Sequence, residues 1–483
     1  MDCTGGETRR RILILGGGFA GIYAAQRLER TIARDPGVEI TLVNHDNYFL
    51  FTPMLHEVAG GELATHCIVN PIRKLLRRVN FFCGDVRSID LDNRRVRVTH
   101  GSFSHPHDLE YDQLVLALGS TTGFYGLPGV EDRAFTMKTL DDAIRLRDHL
   151  IAQLDEADFE CVSELREQLL TFVVAGGGFA GVETAGSIND FLHESLRFYP
   201  HLNREMIRVV LISSGPELLP ELQGPLGQYS QRKLAERRVE IATKLRVKAA
   251  LDDAVELSDG SRIPSNTLIW TVGTSVHPLI SSLPCKKEHG RIAVNEFFEV
   301  PEWPGVYAVG DCVHLVDTRS GQPHPPTAQH AVREGKILAR NLCAAINGTA
   351  KRPFRFSTLG QLATIGRRTG VANILGVNFS GFIAWWLWRT IYLAKLPRFE
   401  KKVRVALDWT LDLFFTKDII RHYRLVTRRT ESDNKNPSHS VPDDTHPVSP
   451  PTADHSGRTE FSRNLVTPIG MDHPTGQERE TTP

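Results

Sequence analysis

ILILGGGFAGIYAAQRLE, residues 12–29, joins a short apolar run to three spaced glycines and a helix-like segment. A near copy, TFVVAGGGFAGVETAGSI, occupies residues 171–188. In a strand–turn–helix unit of this kind, one glycine permits the tight turn, one lets a pyrophosphate approach the backbone, and one lets helix and strand pack closely. The helix N-terminus also favours phosphate. Two dinucleotide cradles are therefore predicted, one at Gly16, Gly18, Phe19, Ala20 and Gly21, and one at Gly176, Gly178 and Gly181.

Both units continue in the same way along the chain. Each cradle is followed by a helix-like segment and a second apolar strand, VEITLVN or IRVVLIS, and each unit closes with a strand that ends near a glycine, Gly119 or Gly273. A further strand, GVYAVGDC, ends at Gly310 and Asp311. Strands that alternate with helices indicate parallel sheets. The predicted fold is therefore α/β, with two Rossmann-like dinucleotide-binding domains.

Composition limits the classes of function. The 57 basic and 57 acidic residues cancel, so nothing in the bulk charge indicates a nucleic-acid partner. Seven cysteines without CxxC or zinc spacing favour a reducing compartment and no structural disulfides. The beginning of the sequence lacks the apolar core of a signal peptide. The longest apolar segment, Phe379–Trp388, is stopped by Arg389, so no spanning helix is predicted.

Residues 371–429 are rich in aromatic and basic side chains. Tryptophan and tyrosine favour membrane interfaces, and apolar segments with basic flanks lie in the plane of anionic membranes. An amphipathic helix that forms a dimer contact or a lid is the alternative. Residues 430–483 have little to bury and are predicted to be disordered.

The predicted organisation has five parts: an N-terminal extension (1–10), a discontinuous first dinucleotide-binding domain (11–140 and 290–370), a second dinucleotide-binding domain (141–289), a C-terminal membrane-docking region (371–429) and the tail.

At the positions expected to bind ribose, this sequence has no acidic residue, although dinucleotide-binding units usually have one there. The first unit has Asn44 after its second strand, and the second unit has Ser213 and Ser214. A carboxylate there would accept hydrogen bonds from ribose hydroxyls and repel a 2′-phosphate. The choice between NADH and NADPH therefore stays open.

From about residue 11 to 420, the chain resembles the two-dinucleotide-binding-domain flavoproteins, and within them the type II, non-proton-pumping NADH:quinone oxidoreductases. The resemblance rests on GGGFAG, NYFLFTPMLHEVAGG, LPGVEDRAFTMKTLDDA, GGGFAGVETAGSINDF, GVYAVGDC, PPTAQHAVREGKILARN and SGFIAWWLWRTIYL. It implies FAD in the first cradle, NADH (or NADPH) in the second, and a final segment that docks on a membrane. Hydride would pass from NADH to FAD, and two electrons from FAD to a membrane quinone.

The resemblance also implies roles for individual residues. Glu183 would lie near nicotinamide and flavin, and Gln329 would contact quinone, although Arg333 replaces the second glutamine of the family's quinone motif. The implied cofactor-binding residues are Gly16, Gly18, Phe19, Ala20, Gly21, Asn44 (ribose), Pro53 (beside the isoalloxazine ring), Gly119, Gly176, Gly178, Gly181, Gly273, Gly310, Asp311 (ribityl chain) and Ala328. No metal site is expected, because the spacing of His314, His324 and His330 matches no standard site. The expected location is the cytoplasmic side of the cell membrane, bound peripherally. The quinone and the choice between monomer and homodimer stay open.

Several alternatives remain at this stage. A disulfide reductase needs two cysteines at the flavin, but residues 44–70 contain only Cys67. A sulfide:quinone oxidoreductase would need Cys161 and Cys343 to meet. A nucleotide-sensing flavoprotein would use the aromatic segment to bind a protein, and a ferredoxin or rubredoxin reductase would have no use for that segment. Glu183 itself has a second interpretation, as an ordinary first-turn helix carboxylate.

Overall fold

The computed structural model describes residues 9–222 and 224–421. In the first half of the chain the strands are β1 (Arg10–Leu15), β2 (Val38–Asn44), β3 (Tyr48–Leu50), β4 (Val69–Pro71), β5 (Asn80–Cys83), β6 (Asp85–Asp90), β7 (Arg95–His100), β8 (His105–Glu110), β9 (Gln113–Leu116), β10 (Ser120–Thr122), β11 (Phe135–Thr136), β12 (Thr171–Ala175) and β13 (Arg208–Ser213). The later strands are β14 (Val239–Thr243), β15 (Val247–Ala250), β16 (Ala254–Leu257), β17 (Arg262–Pro264), β18 (Thr267–Trp270), β19 (Thr274–Val276), β20 (Lys287–Glu288), β21 (Arg291–Ala293), β22 (Val306–Ala308), β23 (Val313–His314), β24 (Gly360–Thr364), β25 (Gly370–Ile374) and β26 (Val377–Ser380).

The helices are α1 (Phe19–Thr31), α2 (Leu55–Ala59), α3 (Thr65–Ile68), α4 (Ile72–Leu75), α5 (Val130–Arg133), α6 (Leu140–Phe159), α7 (Ser163–Leu170), α8 (Phe179–Ser195), α9 (Pro225–Glu236), α10 (Pro278–Ser282), α11 (Ala328–Ile346), α12 (Gly381–Lys395) and α13 (Phe399–Leu411). The longest of them, α6, begins with a capping box in which Thr139 and Asp142 satisfy each other's backbone N–H groups.

The first parallel sheet has the strand order β22–β9–β1–β2–β5. Its central strand, β1, is buried from Ile12 to Leu15, the pattern of a strand that is covered on both faces. The glycine loop follows β1 and opens α1. Because β9 and β2 lie on opposite sides of β1, the carboxyl ends of these strands form the crevice where doubly wound sheets bind ligands.

The second parallel sheet has the order β11–β18–β12–β13–β14. Its central strand β12 is wholly buried and leads through the second glycine loop into α8. The prediction of two Rossmann-type units is therefore confirmed. The short strands β10 and β19 pair antiparallel and join segments that follow β9 and β18.

The C-terminal region begins with strands that the sequence analysis did not anticipate. β24, β25 and β26 form an antiparallel sheet before α12 and α13. The predicted boundary at residue 371 falls inside β25, while the other predicted domain boundaries stay predictions. Within residues 9–222 and 224–421, no helix is both long and apolar enough to cross a membrane. The predicted disordered tail and nearly all of the predicted N-terminal extension lie outside the described residues.

The two C-terminal helices pack on the main core. Trp388 of α12 is fully buried, and Trp409 of α13 and Val405 belong to the same hydrophobic cluster as the strands of the first sheet. This packing fixes α12 and α13 against the core that the first sheet belongs to.

Candidate active site

The three glycines of the first loop meet different constraints. A Cβ on Gly16 would lie 2.2 Å from the carbonyl oxygen of Ala117, and φ is +108° there. A Cβ on Gly21 would lie 1.9 Å from the carbonyl oxygen of Gly16. Gly18, the N-cap of α1, has an ordinary φ of −74° and would meet no protein atom within 4 Å. Packing therefore requires two of the glycines, and the third leaves the N-terminus of α1 open to a ligand.

A cavity of about 540 Å³ lies over this loop. Its lining includes Gly16, Gly18, Phe19, Ala20, Asn44, Gly119, Gly310, Asp311 and Ala328. Eleven of the predicted cofactor-binding residues lie outside the second unit, and these are nine of them. The other two are Gly21, which packs behind the loop, and Pro53, which lines a different cavity. An open helix N-terminus that faces an acidic residue across a cavity fits the diphosphate and hydroxyl groups of FAD.

Asn44 stabilises the glycine loop directly. Its Oδ1 accepts a hydrogen bond from the backbone N–H of Gly17 at 2.7 Å, and its Nδ2 donates to the carbonyl oxygen of Asp46 at 2.8 Å. The predicted contact of Asn44 with ribose stays a prediction. The side chain lines the cavity over the loop, and it also holds the loop through Gly17, which sequence reasoning missed.

Asp311 belongs to a small polar network. The hydroxyl of Ser120 donates to Asp311 at 2.8 Å, and Lys138 Nζ donates to the same hydroxyl at 2.8 Å. Gly310 has φ of +81°, and its N–H donates to Glu334 at 2.8 Å. Burial raises the pKa of Glu334 to about 7. Sequence analysis missed Ser120, Lys138 and Glu334, whose role depends on contacts between distant segments.

The second loop repeats the geometry of the first. A Cβ on Gly181 would lie 1.8 Å from the carbonyl oxygen of Gly176, which has φ of +123°. At Gly178, the N-cap of α8, an added Cβ would meet only a Glu221 carboxylate oxygen, at an ordinary 3.6 Å. Gly273 differs from its counterpart Gly119, because the hydroxyl of Tyr125 covers it.

Ser213 is buried beneath this second loop. A Cβ added to Gly177 would lie 2.3 Å from the Ser213 hydroxyl oxygen, so this serine contacts the loop from below. Ser214 is exposed. Neither of these two residues at the end of β13 is acidic, so neither would repel the 2′-phosphate of NADPH.

A second cavity, of about 1200 Å³, adjoins the first, and both are lined by Phe19, Thr52, Lys138, Pro326 and Ala328. We call it the central cavity. It brings together Pro53, Glu183, Ala328 and Gln329, which the sequence analysis had assigned to one reaction centre. Tyr392 of α12 also lines it. Residues from both Rossmann units and from the C-terminal region therefore share one space.

Glu183 is a buried carboxyl group in the wall of the central cavity. Its Oε1 accepts hydrogen bonds from the indole N–H of Trp388 at 3.2 Å and from the backbone N–H of Thr364 at 3.3 Å. Burial raises the pKa of Glu183 to about 8, and both hydrogen bonds oppose that rise. Since α8 has no acidic residue in its first turn, the alternative interpretation of Glu183 as a first-turn carboxylate is wrong.

His56 is the neighbour of Glu183 that sequence reasoning missed. Its Nδ1 lies 3.7 Å from Glu183 Oε2, and its Nε2 lies 3.1 Å from the Thr364 hydroxyl. Burial lowers the pKa of His56 to about 3, so the imidazole is neutral at physiological pH. The pair is therefore two neutral, hydrogen-bonding groups at pH 7.

Gln329 lies in the first turn of α11. Its amide Nε2 donates to the carbonyl oxygen of Gly360 at 3.3 Å, which ties α11 to the C-terminal sheet. Arg333 donates to the carbonyl oxygen of Gln329 at 2.8 Å, and its guanidinium stacks 4.0 Å from the centroid of Phe356. The arginine that replaces the motif's second glutamine is thus held against the first turn of α11.

A buried polar layer locks α12 and α13 to the rest of the chain. The indole N–H of Trp409 donates to Glu57 at 3.1 Å. Arg389 lies between the rings of Trp385 and Trp409, at 4.2 and 4.6 Å, and 3.6 Å from Glu62. Burial, together with the nearby Glu62, raises the pKa of Glu57 to about 8.

Within the described part of the chain, the cysteines are not paired. Cys67 is buried, and burial raises the pKa of its thiol to about 12, with a hydrogen bond to Asp408 acting in the same direction. Cys161 contacts the carbonyl oxygen of Phe159, and Cys343 contacts the hydroxyl of Thr31. All six cysteines of the described chain are free thiols. The sulfide:quinone interpretation, which needs Cys161 and Cys343 together, is not favoured.

The three histidines that the sequence analysis considered as metal ligands contact other side chains. His314 lies 3.1 Å from Glu288, and the rings of His324 and His330 pack against each other and against Phe354 and Phe356. Among the residues that the structure describes, no three His, Cys, Asp or Glu side chains form a group that could hold a metal ion.

Comparisons with known proteins agree with this geometry. The sequence profile of the pyridine nucleotide-disulphide oxidoreductase family matches residues 10–335, and that of the NDH2 C-terminal domain matches residues 359–418. A probable NADH dehydrogenase of Dictyostelium discoideum is 32% identical over 417 residues, 85% of this chain and 90% of the relative. The type II NADH:quinone oxidoreductase Ndh of Mycobacterium tuberculosis is 32% identical over 425 residues, covering 85% and 89%.

Solved structures support the same fold. NDH2 of Plasmodium falciparum, solved in complex with NADH, superposes with a TM-score of 0.78 at 20% identity, over 85% of this chain and 100% of that chain. The paired cradles and the central cavity define a FAD-binding pyridine nucleotide-disulphide oxidoreductase. Within that class, the chain belongs to the type II NADH:quinone oxidoreductase family.

Proposed function

We propose that this chain oxidises NADH and reduces a membrane quinone, with FAD between them. The observation that carries the proposal is the central cavity, where Glu183, Gln329 and Tyr392 converge from α8, α11 and α12. FAD, when bound, accepts a hydride and returns two electrons to a second substrate. The residues 11–140 and 290–370 would hold FAD, and residues 141–289 would hold NADH.

The residues around the two cavities bind and orient the cofactor and the substrates. The open N-terminus of α1 at Gly18 binds the diphosphate of FAD, and Asp311, oriented by Ser120, accepts from the hydroxyls of its polyol chain. The corresponding opening at Gly178 binds the diphosphate of NADH. Glu183 orients the nicotinamide, and Gln329 donates a hydrogen bond to a quinone oxygen. The absence of an acid beside Ser213 leaves NADPH as a competing, weaker substrate.

An exposed apolar face supports docking on a membrane. Phe399, Val403, Leu407 and Leu411 repeat every four residues along α13 and are exposed, and α12 adds Phe382, Ile383 and Trp386. Together these seven residues form what we call the apolar face. Residues that are exposed at helical spacing lie on one side of the helix. The face would lie in the interface of the cytoplasmic leaflet, where an isoprenoid quinone can reach the central cavity.

The proposal is tested by following NADH oxidation with and without a water-soluble quinone. Gln329→Leu should raise the KM for quinone with little change in the KM for NADH, because it removes only the donor proposed for the quinone. Gln168→Leu, on α7 and outside the lining of both cavities, is the matched control for a lost glutamine amide. Loss of affinity for NADH in Gln329→Leu would contradict the assignment of this residue.

A further inference from the structure

Six basic side chains line one part of the central cavity. They are Arg27, Arg30, Arg333, Lys336, Arg340 and Lys395, and we call them the basic rim. Arg27 and Arg30 belong to α1, the next three to α11, and Lys395 to the last turn of α12. The three in α11 are spaced by three and four residues and so lie on one face of that helix, beside α1.

The basic rim lacks acidic partners. Among the described residues, no ion pair joins any of the six to a carboxylate, and Glu183 is the only acid in the lining of the central cavity. Glu183 lies in the wall and is neutral below about pH 8. Aromatic rings instead hold three of the cations: Arg333 over Phe356, Lys336 over Tyr23, and Lys395 over Tyr392.

The cations are close enough to repel one another. Burial lowers the pKa of Lys336, and the charges of Arg333, Arg30 and Arg27 lower it further. Burial also lowers the pKa of Lys395, with Arg333 acting in the same direction. Uncompensated repulsion of this kind costs free energy unless an anion neutralises it. A fixed cluster of cations at a cavity mouth therefore indicates an anionic ligand.

The ligand must suit the surroundings of the rim. Lys395 ends α12 four residues before Phe399, the exposed first residue of α13 and a member of the apolar face. The rings of Tyr23 and Tyr392, amphipathic side chains that favour interfaces, accompany the cations. Basic side chains next to an apolar surface bind the phosphates of anionic lipids. We propose that the basic rim binds the headgroups of anionic phospholipids and so holds the mouth of the central cavity against the membrane. This inference rests on the proposed membrane docking.

The test is co-sedimentation of the full-length holoprotein with vesicles of two compositions, phosphatidylcholine alone and with about one third phosphatidylglycerol. The wild type should bind the anionic vesicles about tenfold more tightly or better, and salt should reduce that advantage. Arg30→Glu combined with Lys336→Glu should remove the advantage and leave binding to neutral vesicles, which depends on the apolar face. Lys244→Glu combined with Arg246→Glu changes the net charge equally at two exposed sites outside the cavity and should keep the advantage.

Retained flavin absorbance and an unchanged thermal transition establish that the rim variant is folded. If it does not fold, Arg30→Gln combined with Lys336→Gln gives a milder test, with a smaller loss of the advantage expected. Equal binding of the wild type to both vesicles would overturn the inference and leave the cations for an acidic protein. Loss of the advantage in the Lys244 and Arg246 variant would also overturn it, since net charge alone would then explain the effect. Turnover of the wild type with NADH and a soluble quinone tests the proposed function separately.

Discussion

Gly18 and Gly21 both belong to the glycine motif of the first loop, but they differ in whether a side chain would fit there. A methyl group on Gly21 would overlap the carbonyl oxygen of Gly16, whereas one on Gly18 would project into the cavity. We predict that Gly18→Ala lowers FAD content while the apoprotein keeps its thermal stability. Gly21→Ala should instead impair folding. Flavin absorbance per protein and thermal unfolding of the apoproteins measure both effects. Full flavin content in Gly18→Ala would contradict the assignment of the open helix N-terminus.

Glu183 should give the reaction a pH dependence. Its pKa of about 8 lies above the ordinary value, so the group is neutral at pH 7 and becomes a carboxylate as pH rises through 8. A carboxylate beside the nicotinamide stabilises the positive charge that develops as hydride leaves. Flavin reduction by NADH should therefore accelerate above about pH 8 in the wild type.

Glu183→Gln is the matching variant, since it keeps the shape but cannot ionise. It should retain FAD, show no acceleration across this pH range, and reduce its flavin about tenfold more slowly or worse above pH 8. Rapid mixing with NADH at a series of pH values measures this. An acceleration that survives in Glu183→Gln would assign the titration to another group.

At the scale of elements, α12 and α13 are held to the core by buried polar contacts. Trp409→Phe keeps the ring and removes the indole N–H that donates to Glu57. Leaving a buried polar partner unsatisfied costs about 1–3 kcal/mol. We predict a loss of that size in the free energy of unfolding, with faster hydrogen exchange in α12 and α13 and unchanged exchange in α1. A uniform increase in exchange would contradict local anchoring.

The apolar face of α13 makes a separate prediction. Leu407→Glu combined with Leu411→Glu should weaken binding to neutral phosphatidylcholine vesicles by about tenfold or more, because two leucines that leave water for the bilayer contribute several kcal/mol to binding. Phe159→Glu combined with Leu165→Glu places equal charges on other exposed apolar residues, near the end of α6 and on α7. Equal losses in both variants would argue against a specific docking face.

Elements differ in how far the sequence predicts them. The two cradles could be predicted because apolar strand, spaced glycines and helix lie next to each other in the chain. The sheet of β24, β25 and β26 was missed, because its strands are short and their pairing is set by tertiary contacts rather than by a strong period-two pattern.

At the scale of the molecule, the active site depends on contacts between segments far apart in sequence. Glu183 and Trp388 are separated by 205 positions, and His56 and Thr364 by 308. Resemblance to a family assigned expected roles to Glu183 and Gln329, but it assigned none to His56, Ser120, Lys138 or Glu334. Local pattern contains no signal for such partners, because burial and hydrogen bonding arise only when the chain has folded.

Because distant segments meet in one cavity, a single chain could bring two substrates to the same cofactor. The Rossmann units supply one glycine loop each, and the C-terminal region lines the central cavity with Tyr392 and holds Glu183 through the indole N–H of Trp388. The central claim is that electrons enter from NADH and leave to a quinone through this shared cavity.

Anaerobic stopped-flow at the flavin absorbance tests that claim most directly. The holoprotein is mixed first with NADH, or with NADPH in a parallel run, and then with a water-soluble quinone. We predict rapid bleaching by NADH, slower bleaching by NADPH, and rapid return of the absorbance on addition of quinone. Bleaching without a quinone-dependent return would contradict the account, because the central cavity would then not serve a quinone.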